Sequence, residues 1–363
     1  MSFRAYLRSL KKGQLIAAGI VIVLVLAAVG TIIATQNHSP HKNSRPKQTR
    51  QTQPTLPSKY CPLTDLPAPG GVAPQRQPLA VKIGNEEAAR PQSGLNEADI
   101  VYDTPAEGGI QRYIAVFQCN EAAEVGPIRS VRWVDWHVVA DFRQVELAYV
   151  GGITPNEDTV ASKKWIDNAN AFVHYGAYTQ NPDRAAPDAT YSSTAVLWKL
   201  FPARPAPQPI FAYTTGPLPT GAKPAAELGI NFSGGTDVIW KWDASTGVWV
   251  HTYSGATDTD ALTGRPVTTT NIVVEVVRYS IGPLDEGRQP NSGDVESQTV
   301  GTGPGWVLRN GEEIRVTWHR ASLASPTTYT SASGKPVALA PGRTWVELVL
   351  NAKANRGAIT FAP

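Results

Sequence analysis

The stretch Ile110–Phe117 constrains the fold of this chain more than any other. Its alternating faces are both apolar, Ile114 and Val116 on one side, Tyr113, Ala115 and Phe117 on the other. Side chains alternate across a strand, so this strand is buried on both faces and belongs to a sheet covered on both sides. Leu79–Ile83, Asp99–Asp103 and Val145–Val150, the last ended by Gly151-Gly152, read as strands beside it. Between them Val131, Val134, Val138 and Phe142 stand at helical spacing behind Ser130, a suitable N-cap, which predicts a helix over Ser130–Phe142. Trp165 and Trp198 fall in two short helical stretches.

Seven prolines between Phe201 and Pro224 mark an internal boundary, with one domain over 60–210 and a second over 211–363. The second is β-rich. Val238–Trp242 and Val248–Tyr253 flank Asp243–Gly247 as a hairpin, and Asn310-Gly311 joins Trp306–Arg309 to Glu312–Trp318 with the strongest short hairpin signal. Ile272–Val277 and Trp345–Leu350 complete the set. The fold class expected is α+β with a mixed sheet.

The amino-terminal end is of another kind. Gln14–Ala34 is an apolar run of 21 residues without a charge. As a helix it spans roughly 30 Å, the thickness of a bilayer core. Arg4, Arg8, Lys11 and Lys12 precede it, which places residues 1–13 in the cytoplasm and the main domain outside, on a single-pass anchor in the cell membrane. A cleaved signal peptide is the competing reading, but Ile32 stands where a small residue is wanted for cleavage after Ala34. Residues 35–59 are polar, basic and Pro-containing, and read as a disordered linker. The formal charge of +3 conceals a split: residues 1–59 hold nine Lys or Arg and no acid, which leaves 24 basic against 30 acidic side chains in the rest. A mildly acidic globular part argues against nucleic acid as a partner. Cys61 and Cys119 both fall on the outer side, where disulfides persist. A bridge between them is the expectation; two buried free thiols are the alternative.

The candidate site is a run punctuated by arginines. If Leu79–Ile83 and Ile110–Phe117 pair antiparallel, Asn85, Glu86 and Arg90 approach Glu107, Gly108, Gly109 and Arg112. Gly108-Gly109 permits a tight turn or a close ligand approach. Arg129 and Arg132, with Ser130 between them and Asp135 beyond, stand three apart at the expected helix start. Guanidinium forks match carboxylate or phosphate, so these groups together describe an anion pocket in which lysine would be a poor replacement, with little effect on stability. The plainer reading is that Arg90, Arg112, Arg129 and Arg132 pair with Glu86, Asp99, Glu107 and Asp135 as structural ion pairs. Familiar catalytic signatures are missing: no nucleophile elbow, no His-Glu-x-x-His, no phosphate-binding Gly-rich loop. The six histidines lack metal-ligand spacing, and His137 reads as a packed residue. Asp258-Thr259-Asp260 offers two acids to calcium but reads better as a solvated loop, so no metal and no cofactor is expected. Trp240, Trp242, Trp249, Trp306, Trp318 and Trp345 could stack on sugars, yet alternate as core residues do.

Three stretches, Ala89–Tyr102, Glu107–Arg112 and Val125–Arg132, resemble the YerB-like family, bacterial envelope lipoproteins classed as a domain of unknown function. Trp240-Lys241-Trp242-Asp243, Asp260–Gly264 and Pro341–Val346 extend the resemblance over nearly all of residues 61–350. It implies a layered β-β-α arrangement and two halves acting as one unit. It carries no activity. The family pattern Arg-Ala-Pro-His-Asn-hydrophobic-Tyr corresponds here to Arg184–Tyr191, with Asp188 in place of the histidine. No cysteine lies near the end of the apolar run, so a helical anchor would replace the lipid. The function expected is a non-catalytic, extracytoplasmic module binding an anionic cell-wall polymer or an envelope protein engaged in wall assembly. The alternative is a wall-glycan hydrolase or transferase, with Glu107 or Asp135 as acid/base and the arginines holding an anion.

Overall fold

A computed structural model of the chain describes residues 58–232, 236–285, 293–351 and 359–363. Fourteen of its strands carry the argument: β1 Leu79–Ile83, β2 Ile100–Pro105, β3 Gln111–Phe117, β4 Val145–Tyr149, β5 Ile166–Asn170, β6 Glu227–Phe232, β7 Thr236–Asp243, β8 Val248–Tyr253, β9 Asn271–Val277, β10 Gly301–Arg309, β11 Glu312–Arg320, β12 Thr328–Ser331, β13 Thr344–Leu350 and β14 Ile359–Ala362. The main sheet runs β12-β11-β10-β9-β13-β2-β3-β1-β4-β5, with Lys223–Pro224 added beside β11. β3 is central and buried along its whole length. It pairs antiparallel with β1 and β2, whereas β1-β4-β5 and β2-β13-β9 run parallel. The sheet is therefore mixed, as expected. It also takes strands from both sides of the proline-rich stretch, and Leu56–Pro363 forms one compact unit.

The two apolar faces of β3 feed two separate cores. Ile114 and Val116 join Val131, Val134, Trp136, Val138, Phe142 and Val160, under short helical segments and the 210–218 loop. Tyr113, Ala115 and Phe117 pack on the other side against Leu228, Ile230, Val238, Trp240 and Trp249, which belong to a second sheet built on β14-β6-β7-β8. The layers are thus helix and loop, sheet, sheet, and the third layer comes from the C-terminal half. Trp240, Trp249, Trp318 and Trp345 are buried, so these rings serve packing. Asn310 and Gly311 both have positive φ, 54° and 71°, which suits the two-residue β10–β11 hairpin. Cys61 and Cys119 form a disulfide.

The helix over Ser130–Phe142 is a correction. Only Asp135–Val138 (α1) is α-helical, followed by a 3-10 turn over Val139–Phe142, and Ser130 caps nothing. The backbone before it is already committed. Gly84 N donates to Pro127 O, Arg129 N to Lys82 O, Val150 N to Arg129 O and Val131 N to Gly151 O, so residues 127–131 lie as a rung between the ends of β1 and β4. Trp165 lies in the turn after the helix Thr154–Ser162 (α2), and Trp198 ends Thr194–Leu197 (α3). No helix of the described residues is long and apolar enough to cross a membrane. The apolar run 14–34 and most of the linker lie outside those residues.

Candidate functional site

The end of β1, the rung 127–131 and the turn Glu107–Gly109 bring most of the expected site together. Gly84 is needed for this approach: a Cβ there would lie 2.9 Å from Arg129 Cγ. Gly108 and Gly109 both take positive φ, 71° and 79°, and so form a tight turn presenting Glu107. Arg132 grips Glu107 with two bonds, Nη2 to Oε1 at 2.5 Å and Nε to Oε2 at 2.7 Å, while Arg112 Nη2 lies 3.2 Å from the same Oε1. Arg129 pairs with Glu86 at 2.8 Å and with Asp188, so the carboxylate standing in the family's histidine position holds an arginine of the cluster. Asp135 is claimed by Lys82 at 2.7 Å, both side chains fully buried, and its other oxygen accepts from Arg132 N.

Four cations and four carboxylates thus close on each other. Burial pushes the Glu107 carboxyl up, but the Arg132 hydrogen bonds and the charges of Arg112 and Arg132 outweigh it and hold the group at about 2. Burial lowers the Lys82 ammonium, partly offset by Asp135, and lowers Arg112, which also feels Arg132. Ser130 lies in the extended rung. Two further expected residues are latches: Arg184 donates to Ala88 O and Pro91 O, and the Tyr191 ring fills the space where a Cβ on Gly126 would sit, 2.6 Å away. Asp99, weighed as an ion-pair partner, instead accepts from Gln118 N, Cys119 N and Asn120 Nδ2 beside the disulfide. His137 stacks on Trp133 with centroids 3.6 Å apart, and burial draws its imidazole down to about 4.

Arg90 goes elsewhere. Its Nε and Nη2 donate to Asn85 O, Nη2 also reaches Asn85 Oδ1, and its guanidinium lies over the Tyr253 ring. There it lines an open cleft of about 740 Å³ between residues 87–91 and the 253–259 segment that follows β8. A polar island not evident from the sequence lies behind this cleft, between the two sheets. Asp258, on the cleft wall, accepts from His251 Nδ1 at 2.9 Å. The His251 ring stacks on Trp345, and Trp240 Nε1 donates to Glu347 Oε1 at 2.7 Å. Glu347 faces Asp103 across the β2–β13 register. Burial, then the nearby Glu347 charge, drives Asp103 well above the carboxylate range, and burial raises Glu347 too. Asp260 accepts from Asn96 N and Thr263 N, and no group of three or more His, Cys, Asp or Glu gathers for a metal among the described residues. The sequence hint available was a pair of carboxylates at inward strand positions, where an apolar residue is expected.

A mixed sheet covered on one face by helical segments and on the other by a second sheet, pinned by a disulfide and closed at one end by arginine–carboxylate pairs, defines a β-rich layered protein with an open cleft. The chain belongs to the DUF3048 family, a protein of unknown function, whose N-terminal domain matches residues 63–206 and whose C-terminal domain matches residues 228–346. It is 27% identical over 295 residues to the Bacillus subtilis (strain 168) protein named Putative lipoprotein YerB, covering 79% of this chain and 85% of that one. The crystal structure of YerB from Bacillus subtilis shares the fold, with a TM-score of 0.70 at 23% identity, over 83% of this chain and 99% of that one.

Proposed function

We propose that this chain is an extracytoplasmic envelope protein, held to the membrane through residues 14–34, that binds a carboxylate-bearing cell-wall component or wall-assembly partner and does not cleave it. The carrying observation is how the charged groups divide. The carboxylates suited to acid/base work are consumed, Glu107 by Arg132 and Arg112, Asp135 by Lys82. A carboxyl held at about 2 has no proton to give at neutral pH, which weighs against the glycan hydrolase or transferase. Arg90, by contrast, lines an open cleft of the size that ligands occupy. The cluster of Arg112, Arg129 and Arg132 supports this reading as the frame behind that wall. The disulfide, the uncharged apolar run behind basic residues and the similarity to a protein named as a lipoprotein support the envelope location.

The test is calorimetry of the full chain against purified wall fragments, with release of reducing ends measured in parallel. Saturable binding that Arg90→Ala weakens by roughly tenfold or more, without glycan cleavage, is the expected result. Turnover of wall glycan by the wild-type chain, abolished by Glu107→Gln or Asp135→Asn, would overturn it.

A further inference from the structure

We propose that the cleft selects a ligand carrying an ammonium together with a carboxylate, such as a wall peptide whose diamino-acid side chain keeps a free amine. The proposal rests on the binding reading above and specifies the ligand. The cleft's charges are opposed. Arg90 contributes the cation, and its geometry is set beforehand by Asn85 and the Tyr253 ring, while Nη1 makes no hydrogen bond among the described residues. Two carboxylates share the same lining, Glu87 and Asp258. Glu87 is exposed and forms no ion pair among the described residues. Asp258 is 6% exposed and held in place by His251.

With two carboxylates to one guanidinium, a purely anionic ligand such as a polyol phosphate meets repulsion as well as attraction. A group bearing both charges satisfies both walls: its carboxylate lies against the guanidinium, its ammonium between Glu87 and Asp258. Thr257 and Thr259 add hydroxyls that donate or accept, as a peptide or sugar backbone requires. A volume of about 740 Å³ exceeds a single amino acid, so the group recognised is one end of a larger ligand.

Three probes separate this inference from the binding reading: a disaccharide-peptide wall fragment with its free amine, the same fragment N-acetylated, and polyglycerol phosphate. Each is titrated by calorimetry into the full chain and into Glu87→Gln, an exposed rim substitution that leaves Tm unchanged. The free-amine fragment should bind roughly tenfold or more tightly than the acetylated one, and Glu87→Gln should shrink that ratio to about threefold or less. Equal binding of amine and acetyl forms, or tightest binding of polyglycerol phosphate, would refute the ammonium site and leave the binding module standing. Failure of all three probes would remove the binding reading and this inference with it.

Discussion

Glu107→Gln tests whether the arginine cluster is a closed structural unit. The Glu107 carboxyl sits at about 2, against an ordinary value of 4.5, and its side chain is only 13% exposed. About 2.5 pK units at about 1.4 kcal/mol each correspond to about 3 kcal/mol. A depressed carboxyl contributes fully above its unfolded value, so this stabilisation is complete above about pH 5.5 and is lost as pH falls through 4.5 toward 2. At pH 3 about 1.5 kcal/mol of it remains. Glutamine keeps an acceptor for Arg132 but removes the negative charge that Arg112 and Arg132 share, and leaves Arg112 the longer 3.5 Å contact with Glu86. The loss at pH 7 should therefore be about 3 to 5 kcal/mol, the range for breaking a buried pair. Urea unfolding followed by tryptophan fluorescence, on wild type and variant from pH 7 to pH 3, reads the difference directly. It should shrink by about half at pH 3. A difference below about 1 kcal/mol at pH 7, or one that does not change with pH, would show that Glu107 is not locked in this way.

The remaining predictions concern other parts of the molecule. Glu146 is fully buried with neither carboxyl oxygen hydrogen-bonded among the described residues, and burial, then Asp167, raises it to about 9. A raised carboxyl costs stability as pH climbs above its unfolded value, so Glu146→Gln should stabilise by about 1 to 3 kcal/mol at pH 7 and by almost nothing at pH 4 in the same titration. Arg132→Lys loses the two-bond grip on Glu107 and should cost about 1 to 3 kcal/mol at pH 7 by urea unfolding, more than the small effect expected of a ligand-facing arginine. Reduction of Cys61–Cys119, 58 residues apart, should lower stability by about 4 kcal/mol on the loop-entropy relation, read as a fall in Tm under reducing conditions.

What the sequence made legible follows physical range. The double-sided apolar pattern of Ile110–Phe117 is complete within eight residues, and the central strand and its two covered faces follow from it, whereas its antiparallel pairing with Leu79–Ile83 entered only as a condition that the structure meets. Asn310-Gly311 is equally local, because the turn needs only two residues that tolerate positive φ. Ser130–Phe142 failed because helical spacing is a local signal and rungs to β1 and β4 override it from more than 40 residues away on the β1 side. Lys82 was legible only as the polar member of a strand; that Asp135 meets it in a dry interior depends on the fold of α1. The Asp103–Glu347 pair depends on the register of two strands far apart in sequence.

The division between frame and site has an electrostatic cause. Lys82, Arg112, Arg129 and Arg132 are all nearly buried and each has a carboxylate partner, since a buried charge without one is too costly to keep. Such a set fixes where β1, the Glu107 turn and the 127–131 rung meet, and offers little to a ligand that would have to displace a bidentate carboxylate. Arg90 escapes because Asn85 and Tyr253, both neutral, hold it instead. Among the described residues no direct ion pair compensates its charge where the 87–91 loop lines the open cleft. An arginine positioned by neutral partners keeps more of its Coulomb pull for whatever enters the cleft than one gripped by a carboxylate, and here the nearby Glu87 and Asp258 temper that pull toward a ligand that also carries positive charge.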